Sequence, residues 1–242
     1  NSYSVRTFRD AMEAIEEGAA DYAVLPIENS TAGAVNEVYD LLVEFENYIV
    51  GEVIIPITHT LAGLPGTQLS ELKRVYSKAE ALMQTTRFLE EHSDWQQISV
   101  ANTAIAAKKI LDDQDRTQAA VCSAYAAKVY GLEVLEDNIN DESGNCTRFI
   151  IVTNQKVFLK GAKKISICFE VPHESGSLYH LLSHFIYNDL NMSKIESRPI
   201  EGRSWEYRFF VDFEGNLEEP GVKNALRGLR EESRSLKILG NY

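Results

Sequence analysis

Polar side chains stand directly after short apolar runs at four places in this sequence. Glu28-Asn29-Ser30 follows Val24-Leu25-Pro26-Ile27, Ser77 follows Arg74-Val75-Tyr76, Asn102 and Thr103 follow Ile98-Ser99-Val100, and Ser123 follows Ala119-Ala120-Val121. Amides and hydroxyls placed there can orient anionic or carbonyl groups, and a following helix adds unpaired N–H donors and a field that favours anions. The same residue types are good helix caps, so a converging site and a set of caps both remain open. Metal chemistry has less to stand on. His180 and His184 share i,i+4 spacing but lack a flanking Glu or an evident third ligand, which favours a solvated or interface helix face, and His59 lies before a strand end. Cys122, Cys146 and Cys168 are odd in number and lack paired metal spacing, so a reducing intracellular compartment is expected.

The elements that must carry these residues alternate. Strand-like runs fall at 24–27, 52–61, 74–76, 98–100, 119–121 and 149–152, and helical periodicity at 10–17, 35–45, 80–91, 103–111 and 124–130. This order predicts a doubly wound α/β fold with mostly parallel strands and ligands beyond their carboxyl ends. A polar connector over 153–164 leads to a different pattern. Ile165, Ile167, Phe169 and Val171 alternate with Ser166, Cys168 and Glu170 as in a half-buried strand, and Leu178, Leu181, Leu182, Phe185 and Ile186 share one helix face. Strands at 192–200 and 205–213, a helix at 222–233 and a strand at 236–239 complete a βαββαβ, ferredoxin-like unit. Domains are therefore expected at 1–155 and 163–242.

The chain has 242 residues, 44% hydrophobic and 25% charged, with a formal net charge of −12. Those are globular values, and the acidic balance argues against nucleic-acid or anionic-membrane partners. An anionic ligand must be captured by local donors, since the overall field repels it. No apolar run reaches the ~20 residues of a membrane span, and the N-terminus shows no signal-peptide pattern. A cytoplasmic location is expected.

Several segments, in order, resemble the prephenate dehydratase family. Pro26-Ile27-Glu28-Asn29-Ser30 with Gly33 is similar to its P-x-E-N-S-x-x-G segment. Val75-Tyr76-Ser77 followed by Ala81-Leu82-Met83-Gln84 is similar to its S-H-P-Q-A-L-x-Q segment, with Lys78 and Glu80 in place of the His and first Gln. Thr103-Ala104 with Ala106-Ala107 fits the next helix start, and Asn145-Cys146-Thr147-Arg148-Phe149 matches N-x-T-R-F. Gly176-Ser177-Leu178-Tyr179 resembles a G-A-L-V motif loosely, and Ile195-Glu196-Ser197-Arg198-Pro199 matches I-E-S-R-P. The resemblance implies a periplasmic-binding-protein-like catalytic domain made of two subdomains, over 1–155, and a C-terminal ACT regulatory domain over 163–242. The family opens with a strand and a G-x-x-G-T-type turn that precede the point where this chain starts. That one wall of the cleft is missing is therefore an expectation, and a fused upstream domain such as a chorismate mutase is compatible with the start at Asn1.

The implied reaction converts prephenate to phenylpyruvate with loss of water and carbon dioxide, driven by aromatisation and needing no cofactor or metal. The implied catalytic residues are Thr147, Ser77, Gln84, Glu28 and Asn29, and the implied substrate-binding residues are Thr103, Arg148, Ser30 and Phe149. Thr147 is the candidate donor to the departing hydroxyl. Arg148 is either the cation for the retained carboxylate or the partner of an acid such as Glu28. Glu28 is a proton donor if burial raises its pKa, and otherwise structural. Gly176, Leu178, Asn191, Glu196, Ser197 and Arg198 are the implied sites for allosteric L-phenylalanine, bound where ACT domains pair into a homodimer or homotetramer. Tyr179 stands where the motif has a small aliphatic residue. The other readings are a non-catalytic amino-acid-responsive binding module and an arogenate-preferring dehydratase.

Overall fold

The computed structural model of the protein describes residues 2–242. Thr7 opens α1 (Phe8–Glu16) with a capping box: its Oγ1 accepts from the Asp10 N–H, while the Asp10 carboxylate accepts from the Thr7 N–H. The chain continues through β1 (Ala23–Asn29), the short β2 (Gly33–Ala34), α2 (Asn36–Glu44) and β3 (Tyr48–Pro56). Next come β4 (Thr60–Gly63), β5 (Arg74–Ser77), α3 (Ala79–Met83), α4 (Thr86–Glu90), β6 (Gln96–Ser99), α5 (Thr103–Asp113), β7 (Gln118–Cys122), α6 (Ala124–Val129) and β8 (Glu133–Glu136). The last third holds β9 (Cys146–Thr153), β10 (Lys164–Glu170), α7 (Ser177–Tyr187), β11 (Met192–Pro199), β12 (Tyr207–Glu214), α8 (Pro220–Glu232) and β13 (Ser235–Asn241).

These elements form two compact units. One comprises residues 2–29, Gly33–Ile55 and Thr147–Tyr242, and the other Ser30–Ala32 and Pro56–Cys146. In the first, an eight-stranded sheet runs β11-β12-β10-β13-β3-β9-β1-β2. The last six elements in sequence, β10 to β13 with α7 and α8 between them, follow the expected βαββαβ order, and β13 joins β3 in parallel, with Gly240 opposite Ile49, so strands of both expected domains share one sheet. The expectation of a half-buried strand at 165–171 is also corrected, since β10 is buried on both faces. Ile165, Ile167 and Phe169 pack with Leu181, Phe185, Val222 and Leu226, while Cys168, Phe210 and Leu239 on the other face join Tyr39, Leu42 and Ile150.

The β13–β3 junction depends on glycine. A Cβ on Gly240 would lie 2.3 Å from the Ile49 carbonyl oxygen and 2.9 Å from its Cβ, and backbone cannot swing aside as a side-chain tip can. Gly240→Ala is expected to destabilise the fold by about 1–3 kcal/mol, the usual range for overpacking. Thermal unfolding checks this, and an unchanged midpoint would show that the strands can separate without loss.

In the second unit a five-stranded sheet runs β6-β5-β7-β4-β8, with β5 parallel to β6 and β7, and β4 antiparallel to β7 and β8. With β1 antiparallel to β9 as well, the expected mostly parallel sheet is corrected to mixed α/β sheets. The strand expected over 52–61 is two strands in different sheets, separated where the Ile57 N–H donates to the Asn145 carbonyl and the His59 N–H to Asn140 Oδ1. The helix expected over 80–91 is broken into α3 and α4. Thr85 Oγ1 bonds back to the Ala81 carbonyl, and the Asp141 carboxylate accepts from the N–H groups of Thr86 and Arg87, which starts a new helix. Among the described residues, no helix is long and apolar enough to cross a membrane.

Candidate active site

In the first unit, the ladder between β1 and β9 sets two expected catalytic residues against each other. A bulge between Pro26 and Glu28, where proline has no N–H for the ladder, brings Glu28 opposite Arg148 and Asn29 opposite Thr147. Asn29 Nδ2 donates to Thr147 Oγ1 at 3.0 Å. A threonine hydroxyl has one proton and two lone pairs, so an oxygen already accepting from an amide keeps its own proton to donate elsewhere. Both side chains are half-buried. Phe149, opposite Pro26, is half-buried beside them.

Arg148 has a different surrounding from the one a substrate cation needs. Its side chain is 13% exposed and reaches Asp212 at 2.7 Å, Glu52 at 3.2 Å and Glu28 at 3.4 Å. Lys164 pairs with Glu52, and Ser166 Oγ donates to Asp212 and meets the Tyr242 hydroxyl. Burial acts to lower the pKa of Arg148, but the charge and hydrogen bond of Asp212 outweigh it and hold the group above its ordinary value. Of the two readings of Arg148, the ion-pair one has the partners at hand: Nη1 donates to Glu52 and Asp212 and Nη2 lies by Glu28. Glu28 is likewise an ion-pair partner, with Lys194 at 2.7 Å on one oxygen and Arg148 at 3.4 Å on the other.

In the second unit, Gln84 ends α3 and lines a cavity of about 320 Å³ with Thr31, Ala32, Glu80, Met83, Arg87, Asn140, Asp141, Glu142 and Asn145. The helix break places it there, since the Asp141 N–H donates to the Gln84 carbonyl at 2.8 Å. Gln84 Oε1 accepts from Asn145 Nδ2 at 3.0 Å and meets His59 Nε2 at 2.9 Å, so His59 carries its proton on Nε2. With its oxygen doubly engaged, the Gln84 amide is fixed so that its NH₂ group is the end available to a ligand. His59 is 6% exposed and Asn145 5% exposed. His59 was missed as a site residue because its partner lies 25 positions along the chain, whereas Asn145 was visible in the N-x-T-R-F segment without a role.

The other expected site residues divide differently. Ser77 is fully buried and its Oγ donates to the Val121 carbonyl at 2.6 Å, which braces β5 against β7. Ser30 accepts from the Cys146 N–H at 3.0 Å and donates to the Gly144 carbonyl at 3.5 Å, which clasps the two loops together. Asn102 and Ser123 are helix caps, accepting from the N–H groups of Ile105 and Ala126. Thr103 starts α5 and is half-buried. Lys78 and Glu80 pair at 3.0 Å, so the two departures from the motif neutralise one another. Burial pushes Cys122 up to about 11 and Cys168 up to about 12, which leaves both thiols neutral and poor nucleophiles. Among the described residues no metal-ligating cluster occurs.

The residues expected to take an effector separate into two groups. Gly176, in the left-handed region at φ 81°, precedes α7 and lines a cavity of about 250 Å³ with Leu178, Tyr179, Trp205 and Phe209. Asn191, Glu196, Ser197 and Arg198 are not among its walls. Asn191 Nδ2 donates to Glu214, and Arg198 grips Asp40 of α2 through two hydrogen bonds of 3.0 and 2.6 Å. Arg198 thereby braces β11 to α2.

The profile of the family described as prephenate dehydratase matches residues 1–157. The chain is 40% identical over 238 residues to a bifunctional chorismate mutase/prephenate dehydratase of Aquifex aeolicus, covering 98% of this chain and 65% of that protein. It is 37% identical over 252 residues to arogenate dehydratase/prephenate dehydratase 6, chloroplastic, of Arabidopsis thaliana, covering 97% and 61%. The chain thus spans slightly less than two thirds of these relatives. A solved prephenate dehydratase from Arthrobacter aurescens in complex with L-Phe superposes with a TM-score of 0.89 at 32% identity, covering 98% of this chain and 79% of that one.

Proposed function

Because the chain belongs to the prephenate dehydratase family, we propose that it converts prephenate to phenylpyruvate under feedback control by L-phenylalanine. The observation that carries this reading is the Asn29–Thr147 hydrogen bond, which fixes the Thr147 oxygen and leaves its proton for a departing hydroxyl. In the reaction the ring carboxylate leaves as carbon dioxide, and its bonding pair becomes the last double bond of the aromatic ring. The ring hydroxyl departs and takes up one proton to become water. Thr147 hydrogen-bonds the leaving oxygen as its charge grows and relays a proton drawn from solvent. The ring carboxylate needs no strong cation, since its charge is lost as the bond breaks, and this suits a site whose nearby arginine is already engaged.

Gln84 is proposed to present its NH₂ group to an anionic group of the substrate, held by His59 and Asn145. Gln84→Glu keeps the acceptor oxygen and the shape but replaces the donors with a negative charge. Loss of a hydrogen bond to a charged group costs about 1.5–3 kcal/mol, so kcat/KM for prephenate is expected to fall roughly 10- to 100-fold. Steady-state kinetics check this, and an unchanged kcat/KM would remove Gln84 from substrate recognition.

The segment from β10 to β13 is proposed to be an ACT domain with ferredoxin-like topology that pairs two or four chains and binds phenylalanine. Between paired chains, Gly176 and Leu178 of one chain offer backbone N–H groups and contact to the ligand carboxylate end, while Glu196, with Asn191 and Ser197, which lie outside the Gly176 cavity, takes the ammonium from the adjoining chain. The βαββαβ order and the L-Phe complex of the Arthrobacter aurescens protein support this. A second reading takes arogenate as substrate, and the dual name of the Arabidopsis thaliana relative favours testing it. Turnover of each substrate, followed as phenylpyruvate or phenylalanine formed, decides between them. No turnover of either would overturn the enzymatic reading in favour of a binding module.

A further inference from the structure

β11 places Lys194, Glu196 and Arg198 on one half-buried face, alternating with exposed Ser193, Ile195, Ser197 and Pro199. A lysine that served only solubility would extend into water, yet the Lys194 side chain is 14% exposed and its Nζ lies 6.0 Å from the centre of the Tyr39 ring. Its charge is shared between two carboxylates, Glu28 at 2.7 Å and Glu196 at 3.6 Å. Glu28 and Arg148 form one rung of the β1–β9 ladder, and Asn29 and Thr147 form the next. The ion pair therefore abuts the amide–hydroxyl pair through consecutive backbone bonds. Arg198, two positions beyond Glu196, fixes the strand to α2 through Asp40, so β11 cannot drift freely from this contact.

We infer that Lys194 is a positioning residue that transmits the state of Glu196 to Glu28 and so to the Asn29–Thr147 pair. The inference rests on the dehydratase reading and on phenylalanine as effector. An ammonium ligand on Glu196 takes over that carboxylate and removes its competition for Lys194. The lysine then commits wholly to Glu28, and the rung beside Thr147 changes its balance between Lys194 and Arg148. Coupling of this kind needs direct contacts with two arrangements, and a lysine shared between two acids has them.

Lys194→Met removes the charge and keeps most of the packing. The phenylalanine concentration for half-inhibition is expected to shift about tenfold, within the usual span of allosteric coupling. kcat is expected to fall while KM for prephenate stays nearly constant, and Lys194→Arg is expected to restore both. A purely structural role would lower the amount of folded protein but leave the inhibition curve in place. Hydrogen exchange gives a readout independent of turnover: phenylalanine should change amide protection over residues 27–30 in the wild type and not in Lys194→Met. Superimposed inhibition curves, or the same exchange response in both proteins, would overturn the inference, as would a wild type with no response at all. Should Lys194→Met fail to fold, Glu28→Gln removes the receiving charge and must show the same loss of coupling. If the wild type does not consume prephenate, the dehydratase reading fails, while the exchange experiment still decides the coupling.

Discussion

Thr147→Val is expected to lower kcat for prephenate about 100- to 1000-fold, the range seen when one hydrogen-bond donor to a developing oxyanion is removed. Valine matches threonine in shape and in preference for a strand, and Thr147 lies within β9. The fold should therefore survive, with a circular dichroism spectrum and thermal midpoint close to the wild type. The lost group is the hydroxyl whose oxygen accepts from Asn29 at 3.0 Å. Because its contribution appears only as the leaving oxygen gains charge, KM should change far less than kcat. Thr147→Ser separates hydroxyl from methyl: it keeps the donor and should retain most of the rate. Turnover near wild type in Thr147→Val would remove this hydroxyl from the mechanism.

Arg148→Leu should have its large effect on stability. The guanidinium is the common partner of Glu28, Glu52 and Asp212, and the Arg148 and Asp212 side chains are each 13% exposed. Removing one partner of a buried ionic cluster leaves the others uncompensated, at a cost of about 3–5 kcal/mol. For a chain of this size each kcal/mol moves the thermal midpoint by about 2–4 °C, so a fall of roughly 10 °C is expected. Lys164 and Lys194 remain beside Glu52 and Glu28, which leaves Asp212 most exposed to the loss. Arg148→Lys keeps a charge but loses the fork that reaches several acids at once, and should fall between the two. A midpoint within experimental error of the wild type in Arg148→Leu would show that the acids find water instead.

The site was legible in part. Asn29, Thr147 and Gln84 stood in recognisable segments and are the donors of the proposed site, whereas Ser77 and Ser30 stood in the same segments and bond to the backbone. A motif gives the residue type and the approximate place, but the direction of a hydroxyl depends on which carbonyl lies within reach. For Ser77 that carbonyl belongs to Val121, 44 positions away. His59 carried no signal for the same reason. Arg148 was balanced between substrate and ion pair, and the balance fell to the acids because Asp212 comes from a strand 64 positions away.

Helix and strand positions came mostly from periodicity, since apolar spacing is a local property of the chain. α1, α2, α5, α6 and the βαββαβ order all followed from it. Strand direction, the break between α3 and α4, and the single sheet running from β11 to β2 did not. Each of these is decided by a partner distant in sequence: Asp141 for the helix break, Ile49 for the approach of Gly240, β9 for the direction of β1. The amino-acid sequence by itself determined the elements and the family to which they belong. Only the tertiary structure decided that Thr147 keeps its proton while Arg148 is taken, because hydrogen bonds and charges are committed by whichever neighbour folding brings within about 3 Å.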